Sequence, residues 1–442
     1  MVLNVKFIRA ISLAAIFAAP FLRVHAQLRT ASLDWGKERA FVEGNIQFAV
    51  AQAKEMLREV DANLTKNSYP RTTSKSGALA STSMYEWTSG FFPGNLWYLY
   101  ELSNDDLFKA KAQAWTVTLE PLKTYTGNHD LGFMMYCSFG NGYRLMPDET
   151  AAYRDILLQG AGSLSTRYSE AVRSIQSWNA NKSWGGARRN FPVIIDNMMN
   201  LELLMWAAKA TSDTAAARKF RRIAVTHANT TIKNHLRPDY STYHVVSYNP
   251  QTGEVESKTT AQGWSDNSTW SRGQAWGIYG FTMMYRETSD KKYLEVAKKM
   301  ADFFLNHPNL PADKIPYWDF NAQQDGYVAE WPDRASALPV PPDKLPIAHY
   351  RDASAGAIVA SALFELYGHT QSEAYLTSAI AMLRSLASSD YRAALGSNAN
   401  FILKHCVGSI PHGVEIDVPL VYADYYFLEA LLRYRKFLLT KS

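Results

Sequence analysis

One acid stands out in the stretch Phe191-Pro-Val-Ile-Ile-Asp-Asn-Met-Met-Asn-Leu-Glu-Leu-Leu-Met-Trp206. Asp196 follows three apolar residues and precedes a strongly apolar helical pattern. An acid there is either a helix cap or a carboxyl that dry surroundings make a better proton carrier. Asp130 stands in a similar place, ahead of Leu131-Gly-Phe-Met-Met135. Apolar surroundings and a second carboxylate both raise a carboxyl pKa, whereas a helix start opposes them. The drier of the two acids would hold a proton near neutrality and serve as general acid.

A second chemistry-bearing stretch runs from Gln262 to Tyr279. Arg272 and Trp276 are four apart there and share a helix face. Arg272 has two readings, a fork for a substrate carboxylate or a structural partner of an inner acid. His244 lies with Tyr243 and Tyr248 on a predicted hairpin, where an exposed strand histidine is the plain alternative to a site residue.

The elements that must position these residues are helices. Apolar periodicity predicts them over 38–60, 92–102, 105–125, 130–145, 149–169, 196–210, 213–235, 268–287, 291–306, 352–367, 372–386 and 419–438. Helices apolar on most faces alternate with helices that have one wet face. Similar capped turns join them, at 103–107, 147–151, 211–215, 288–292 and 370–374. This is an internal repeat of helical hairpins. Six of them closed into a ring give an all-α (α/α)6 barrel, an open solenoid being the alternative. Closure is favoured because the first and last helices complete one hairpin. The starts of the inner helices would then share one mouth, with Trp87, His129, Asp130, Asp196, Asp352 and Asp417 around it. Tyr240 to Thr260 reads as an inserted β-hairpin, and 306–350 as a long Pro-rich connection.

Composition narrows the function classes. With 442 residues, 47% hydrophobic and 20% charged, the chain has ample length for a large core. Residues 1–26 read as a signal peptide: Lys6 and Arg9, an apolar run from Ala10 to Phe21, then Val24-His25-Ala26. The expected compartment is the periplasm or the exterior, with no membrane anchor. Residues 27–442 read as a single catalytic domain. The formal charge of +5 includes three leader cations and no leader acid, so the remainder is about +2 and no nucleic-acid-binding face is expected. Cys137 and Cys406 could pair in an oxidising compartment. No zinc or calcium spacing occurs. The 12 Trp and 25 Tyr suit a pocket in which sugar rings stack while carboxylates move protons.

Six segments carry a resemblance: Trp87-Thr-Ser-Gly-Phe-Phe-Pro-Gly94, His129-Asp-Leu-Gly-Phe133, Ile195-Asp-Asn-Met-Met-Asn200, Ser268-Thr-Trp-Ser-Arg-Gly-Gln-Ala-Trp-Gly277, Arg351-Asp-Ala-Ser354, and the run from Glu415 to Leu431. The chain resembles glycoside hydrolase family 88, the unsaturated glucuronyl hydrolases. The resemblance implies an (α/α)6 barrel acting on oligosaccharides left by polysaccharide lyases. These carry a C4=C5 double bond in a non-reducing-end uronic acid. The residue matching Asp196 would protonate C4 and deprotonate the water that adds at C5, and Asp130 would position the ring and tune its partner. His244, Gln262, Arg272 and Trp276 would line the substrate site, and His129 and Ser409 would border it. Trp87 with Trp178 or Trp184 would stack on sugars. The resemblance implies neither a metal nor a cofactor.

Other readings keep the ring and change the chemistry. They are an unsaturated rhamnogalacturonyl hydrolase, a two-carboxylate glycosidase using Asp130 and Asp196, and a non-catalytic glycan-binding protein. Family members favouring sulfated fragments tend to carry Ser-x-x-Ser-x-Lys before the last helix. Here Ser409-Ile-Pro-His-Gly-Val414 keeps only the first serine. Unsulfated chondroitin, hyaluronan or gellan-type fragments are therefore the expected substrates.

Overall fold

A computed structural model describes residues 33–60, 68–146, 148, 150–182, 188–322, 324–330 and 349–440. The predicted signal peptide, Trp184 and part of the Pro-rich connection lie outside them. Twelve helices follow one another among the described residues. They are α1 (Trp35–Val60), α2 (Phe91–Ser103), α3 (Asp106–Val117), α4 (π-helical Gly132–Gly140 running into Asn141–Leu145), α5 (Thr150–Ser165) and α6 (Asn197–Ala210). The second half holds α7 (Thr214–His235), α8 (Ser271–Thr288), α9 (Lys291–Asn306), α10 (Ala353–Thr370), α11 (Glu373–Leu386) and α12 (Val421–Leu439).

The even-numbered helices form the inner layer. Each packs on the next, and α12 returns to α2, so the ring is closed. Hydrophobic patterning explains the layering. Helix α10 is buried at nearly every position from Ala353 to Tyr367, whereas α9 buries one stripe, Tyr293, Val296, Ala297, Met300, Ala301 and Phe304. Helix α1 packs against α12 and α2, as the expected terminal hairpin requires. The fold is the (α/α)6 barrel.

The repeated turns have a physical cause. Asn104, Ser289 and Gln371 end α2, α8 and α10 in the left-handed conformation. Asp105, Asp213 and Asp290 then cap α3, α7 and α9 by accepting backbone N–H bonds, each worth about 1 kcal/mol.

Small sheets decorate the ring. Strands β1 (Tyr69–Thr73) and β2 (Leu79–Thr82) form a hairpin, as do the short pairs β3 (Tyr168–Ser169) with β4 (Ser174–Ile175) and β5 (Asn181–Lys182) with β6 (Arg188–Arg189). Strand β7 (Phe191–Ile194) joins the predicted hairpin, observed as β8 (Val245–Tyr248) and β9 (Val255–Thr259), in one antiparallel sheet of order β7-β8-β9. Strands β10 (Cys406–Ser409) and β11 (Val414–Val418) make a further hairpin before α12. The apolar residues ahead of Asp196 are therefore a strand.

The possible cysteine pair does not form, and one helix ends earlier than expected. Cys137 and Cys406 are both buried free thiols, one on α4 and one on β10, and do not pair. The predicted helix over 105–125 stops at Val117, and a short 3-10 turn, Glu120–Thr124, follows with Pro121 in its first turn.

Candidate active site

Strand register brings the first pair together. Ile194 pairs with Val245, and the Ile195 N–H donates to the His244 carbonyl at 3.1 Å. One residue further on, Asp196 comes abreast of the His244 ring. The imidazole Nδ1 accepts from the Ala261 and Gln262 N–H groups, each at 3.2 Å. Two backbone donors on Nδ1 assign the proton to Nε2. Nε2 lies 3.7 Å from Asp196 Oδ2, and both atoms are buried without a hydrogen-bond partner among the described residues. Burial drives the His244 pKa well down, with Arg189 and Arg272 adding to the effect. His244 is thus a neutral N–H donor aimed at Asp196, and the exposed-strand alternative is set aside.

Asp196 occupies the N-cap position of α6 but does not cap it. Its backbone is already helical (φ −54°, ψ −27°), and its side chain accepts no bond from the helix. The carboxyl side chain is 12% exposed. Burial pushes its pKa up to about 7; the Arg272 guanidinium opposes this and the Asp130 charge adds to it.

Asp130 reaches the same region from the start of α4. Gly132 allows the approach, since a Cβ there would lie 2.4 Å from the Asn200 Cα. Asn200, one turn after Asp196 on α6, accepts the Phe133 N–H at 3.0 Å through Oδ1, and its side chain also bears on the Asp130 carboxylate. The Asp130 side chain is 17% exposed. Burial raises its pKa to about 7 against the opposing effects of Asn200 and Arg167. His129 Nε2 is 3.3 Å from Asp130 Oδ1. Burial lowers the His129 pKa to about 3, so the ring is neutral. Asn197 acts on that ring and is itself anchored by donating to the Ile175 carbonyl at 2.9 Å. Asn197 and Asn200 lie inside a quoted motif that gave them no role, and Arg167 lies outside every motif. Two asparagines in an otherwise strongly apolar helix were the available signal for Asn197 and Asn200.

A cavity of about 630 Å³ lies next to this site. Trp87, Trp178, Gln262, Arg272, Ser409, Tyr422, Arg71 and His412 are among its lining residues. The carboxyls are not; Asp196 is joined to the lining by Arg272 and, by way of His244, by Gln262. Gln262 donates to the Gly408 carbonyl at 3.1 Å, and Ser409 Oγ lies 2.5 Å from His412 Nδ1. Trp87 packs at 4.8 Å from Tyr422 and 5.5 Å from Phe133 between ring centres.

Arg272 lines the cavity as expected but is also held within the protein, and Trp276 departs from the expectation. Arg272 is 1% exposed. It donates to Asp352 Oδ2 at 2.8 Å, to the Gly408 carbonyl at 2.6 Å and to the Val407 carbonyl. Nη1 is fully used within the protein, whereas Nη2 keeps one N–H and Nε has no partner among the described residues. Arg272 is thus both the buried partner of Asp352 and a residue of the cavity wall. Trp276 is fully buried and packs on Phe133 and Tyr426, at 5.1 and 5.4 Å. It does not line the cavity; it underlies Asp196 and favours the ionised carboxylate there. No group of three or more potential metal ligands occurs among the described residues.

A closed ring of helical hairpins, with two buried acids beside a Trp-lined cavity, defines an α/α-barrel enzyme that does acid–base chemistry on sugars. Known proteins narrow this. An unsaturated glucuronyl hydrolase of Formosa agariphila is 43% identical over 434 residues, covering 98% of this chain and 99% of that protein. A crystal structure of an unsaturated glucuronyl hydrolase specific for heparin is 42% identical with a TM-score of 0.78, covering 91% and 98% of the two chains. An aspartate-to-asparagine mutant of the Streptococcus agalactiae enzyme, complexed with dGlcA-GalNAc6S, is 29% identical with a TM-score of 0.67, covering 88% and 91%. No protein-family model matches the chain. The chain belongs to the unsaturated glucuronyl hydrolases, a family of glycoside hydrolases that act on unsaturated uronic-acid oligosaccharides.

Proposed function

We propose that this chain releases the 4,5-unsaturated uronic acid by hydrating its C4=C5 vinyl ether, with Asp196 as the proton-transfer group. The Asp196 proton adds to C4, and charge develops on C5 and the ring oxygen. The resulting carboxylate takes a proton from the water that attacks C5. The hemiketal so formed opens, and the remaining sugar leaves. One carboxyl thus gives a proton and regains one, which suits a group whose pKa lies near 7. The observation that carries this reading is the pairing of two buried acids with a neutral His244 N–H aimed at Asp196. Trp87 and Trp178 offer the cavity's stacking faces.

The substrate assignment is a lyase-made disaccharide or short oligosaccharide, so the enzyme works after a polysaccharide lyase. The leader reading extends this to action outside the cytoplasm without a membrane anchor. No helix of the described residues is long and apolar enough to cross a membrane. The test is ultraviolet absorbance of a panel of unsaturated disaccharides, sulfated and unsulfated. Hydration removes the absorbance directly, and the saturated counterparts should not be turned over. Equal turnover of saturated substrate would overturn the reading in favour of ordinary glycosidase chemistry.

A further inference from the structure

We propose that Arg167 is a positioning residue of this reaction: it fixes Asp130 and holds it as the anion of the acid pair, so that the proton used in the first step resides on Asp196. The inference rests on the hydration reading above. Arg167 lies just beyond α5, outside every sequence motif. Its Nε donates to the Gln176 carbonyl at 2.8 Å and its Nη1 to the Thr126 carbonyl at 2.6 Å. Thr126 is four residues before Asp130. Gln176 adjoins Ser177, whose carbonyl accepts the His129 N–H at 3.0 Å. One guanidinium therefore ties together the two segments that hold His129 and Asp130.

Its third nitrogen, Nη2, is buried with no hydrogen-bond partner among the described residues. The ionisable groups that act on Arg167 are Asp130 and Tyr125. His129, the neighbouring imidazole, is neutral. Asp196 meets a different set: Arg272, Asp130, Trp276 and His244. The Arg272 charge is countered at once by Asp352, 2.8 Å away. Arg167 forms no ion pair within 4 Å among the described residues, so its charge stays uncompensated where it ties down the segments that carry His129 and Asp130. Two nearby acids resist double ionisation, and a cation beside one of them decides which carries the negative charge.

The experiment is a carboxyl titration of the intact chain by infrared difference spectroscopy, which needs no turnover. Subtracting the double Asn variant from Asp196→Asn isolates Asp130, and subtracting it from Asp130→Asn isolates Asp196. This cancels Glu202 and Asp424, two other buried acids that burial raises to about 7. The Asp130 midpoint is expected to fall below the Asp196 midpoint by about one pH unit or more. Adding Arg167→Met should raise the Asp130 midpoint and leave the Asp196 midpoint in place. In the otherwise unchanged enzyme, Arg167→Met should lower kcat about 10- to 100-fold with KM nearly constant and move the acid limb of kcat upward. Arg167→Lys should restore that limb. Reversed midpoints, or midpoints indifferent to Arg167→Met, overturn the proposal. If Arg167→Met does not fold, the order of the two midpoints decides alone. Failure of the hydration reading itself shows separately, as a wild-type enzyme that leaves the substrate's absorbance intact.

Discussion

Replacing Asp196 by Asn should stabilise this protein while abolishing its activity, and the stabilisation should depend on pH. Burial lifts the Asp196 carboxyl from 3.8 to about 7. The folded state then binds a proton more tightly than the unfolded chain. Where the folded state holds more protons, stability falls as pH rises. The Asp196 contribution is intact below the unfolded pKa, near 4, and is lost progressively as pH climbs through the folded value near 7. A rise of roughly three pH units corresponds to about 4 kcal/mol at 1.36 kcal/mol per unit. The 12% exposure of the side chain leaves some solvent screening, so about 2–4 kcal/mol is the expected gain for Asp196→Asn at pH 8. At pH 4 the two proteins should melt together. Thermal unfolding at pH 4, 6 and 8 reads the effect as a gap of several degrees that opens with pH. Equal melting temperatures at pH 8, or a gap of the same size at pH 4, would refute the claim that Asp196 is held in a dry site at the cost of stability.

The remaining predictions concern the supporting shell. Arg272→Met should leave Asp352 buried without its cation, costing about 3–5 kcal/mol in denaturant unfolding; a drop below about 1 kcal/mol would contradict the structural role of this ion pair. Trp87→Ala should raise KM several-fold with kcat little changed, as loss of a stacking face predicts. His244→Gln should lower kcat by about two orders of magnitude without moving the acid limb of the pH profile, because the wild-type ring is already neutral there. Gly132→Ala should force α4 away from Asn200 and separate the two acids, a loss visible in kcat with the fold retained by circular dichroism.

The helices were legible because their signal is local. Lys291–Asn306 was bounded to the residue by Asp290 at its cap and one apolar stripe. The closed ring was legible because that local signal recurs. Strand β7 was not: its four residues, Phe191 to Ile194, read equally well as a lead into α6, and their pairing with Val245 to Tyr248 is fixed by contacts more than fifty residues away. The hairpin before α12 was hidden for another reason. Glu415 and Asp417 take positive φ, 55° and 57°, which their residue types do not announce. The π-helical run at Gly132–Gly140 keeps the apolar look of an ordinary helix. In the site, Asp130 and Asp196 were legible as acids in greasy places. The direction of each side chain was not, and that direction separates Asp196 from a cap and Trp276 from a pocket wall.

The central claim, protonation at C4 followed by water addition at C5, is tested most directly by running the reaction in heavy water labelled in both hydrogen and oxygen. Magnetic resonance and mass spectrometry of the products then locate the labels. Deuterium at C4 and heavy oxygen at C5, both absent with Asp196→Asn, is the predicted result. Heavy oxygen at C1, with the double bond still present in the released sugar, would contradict it.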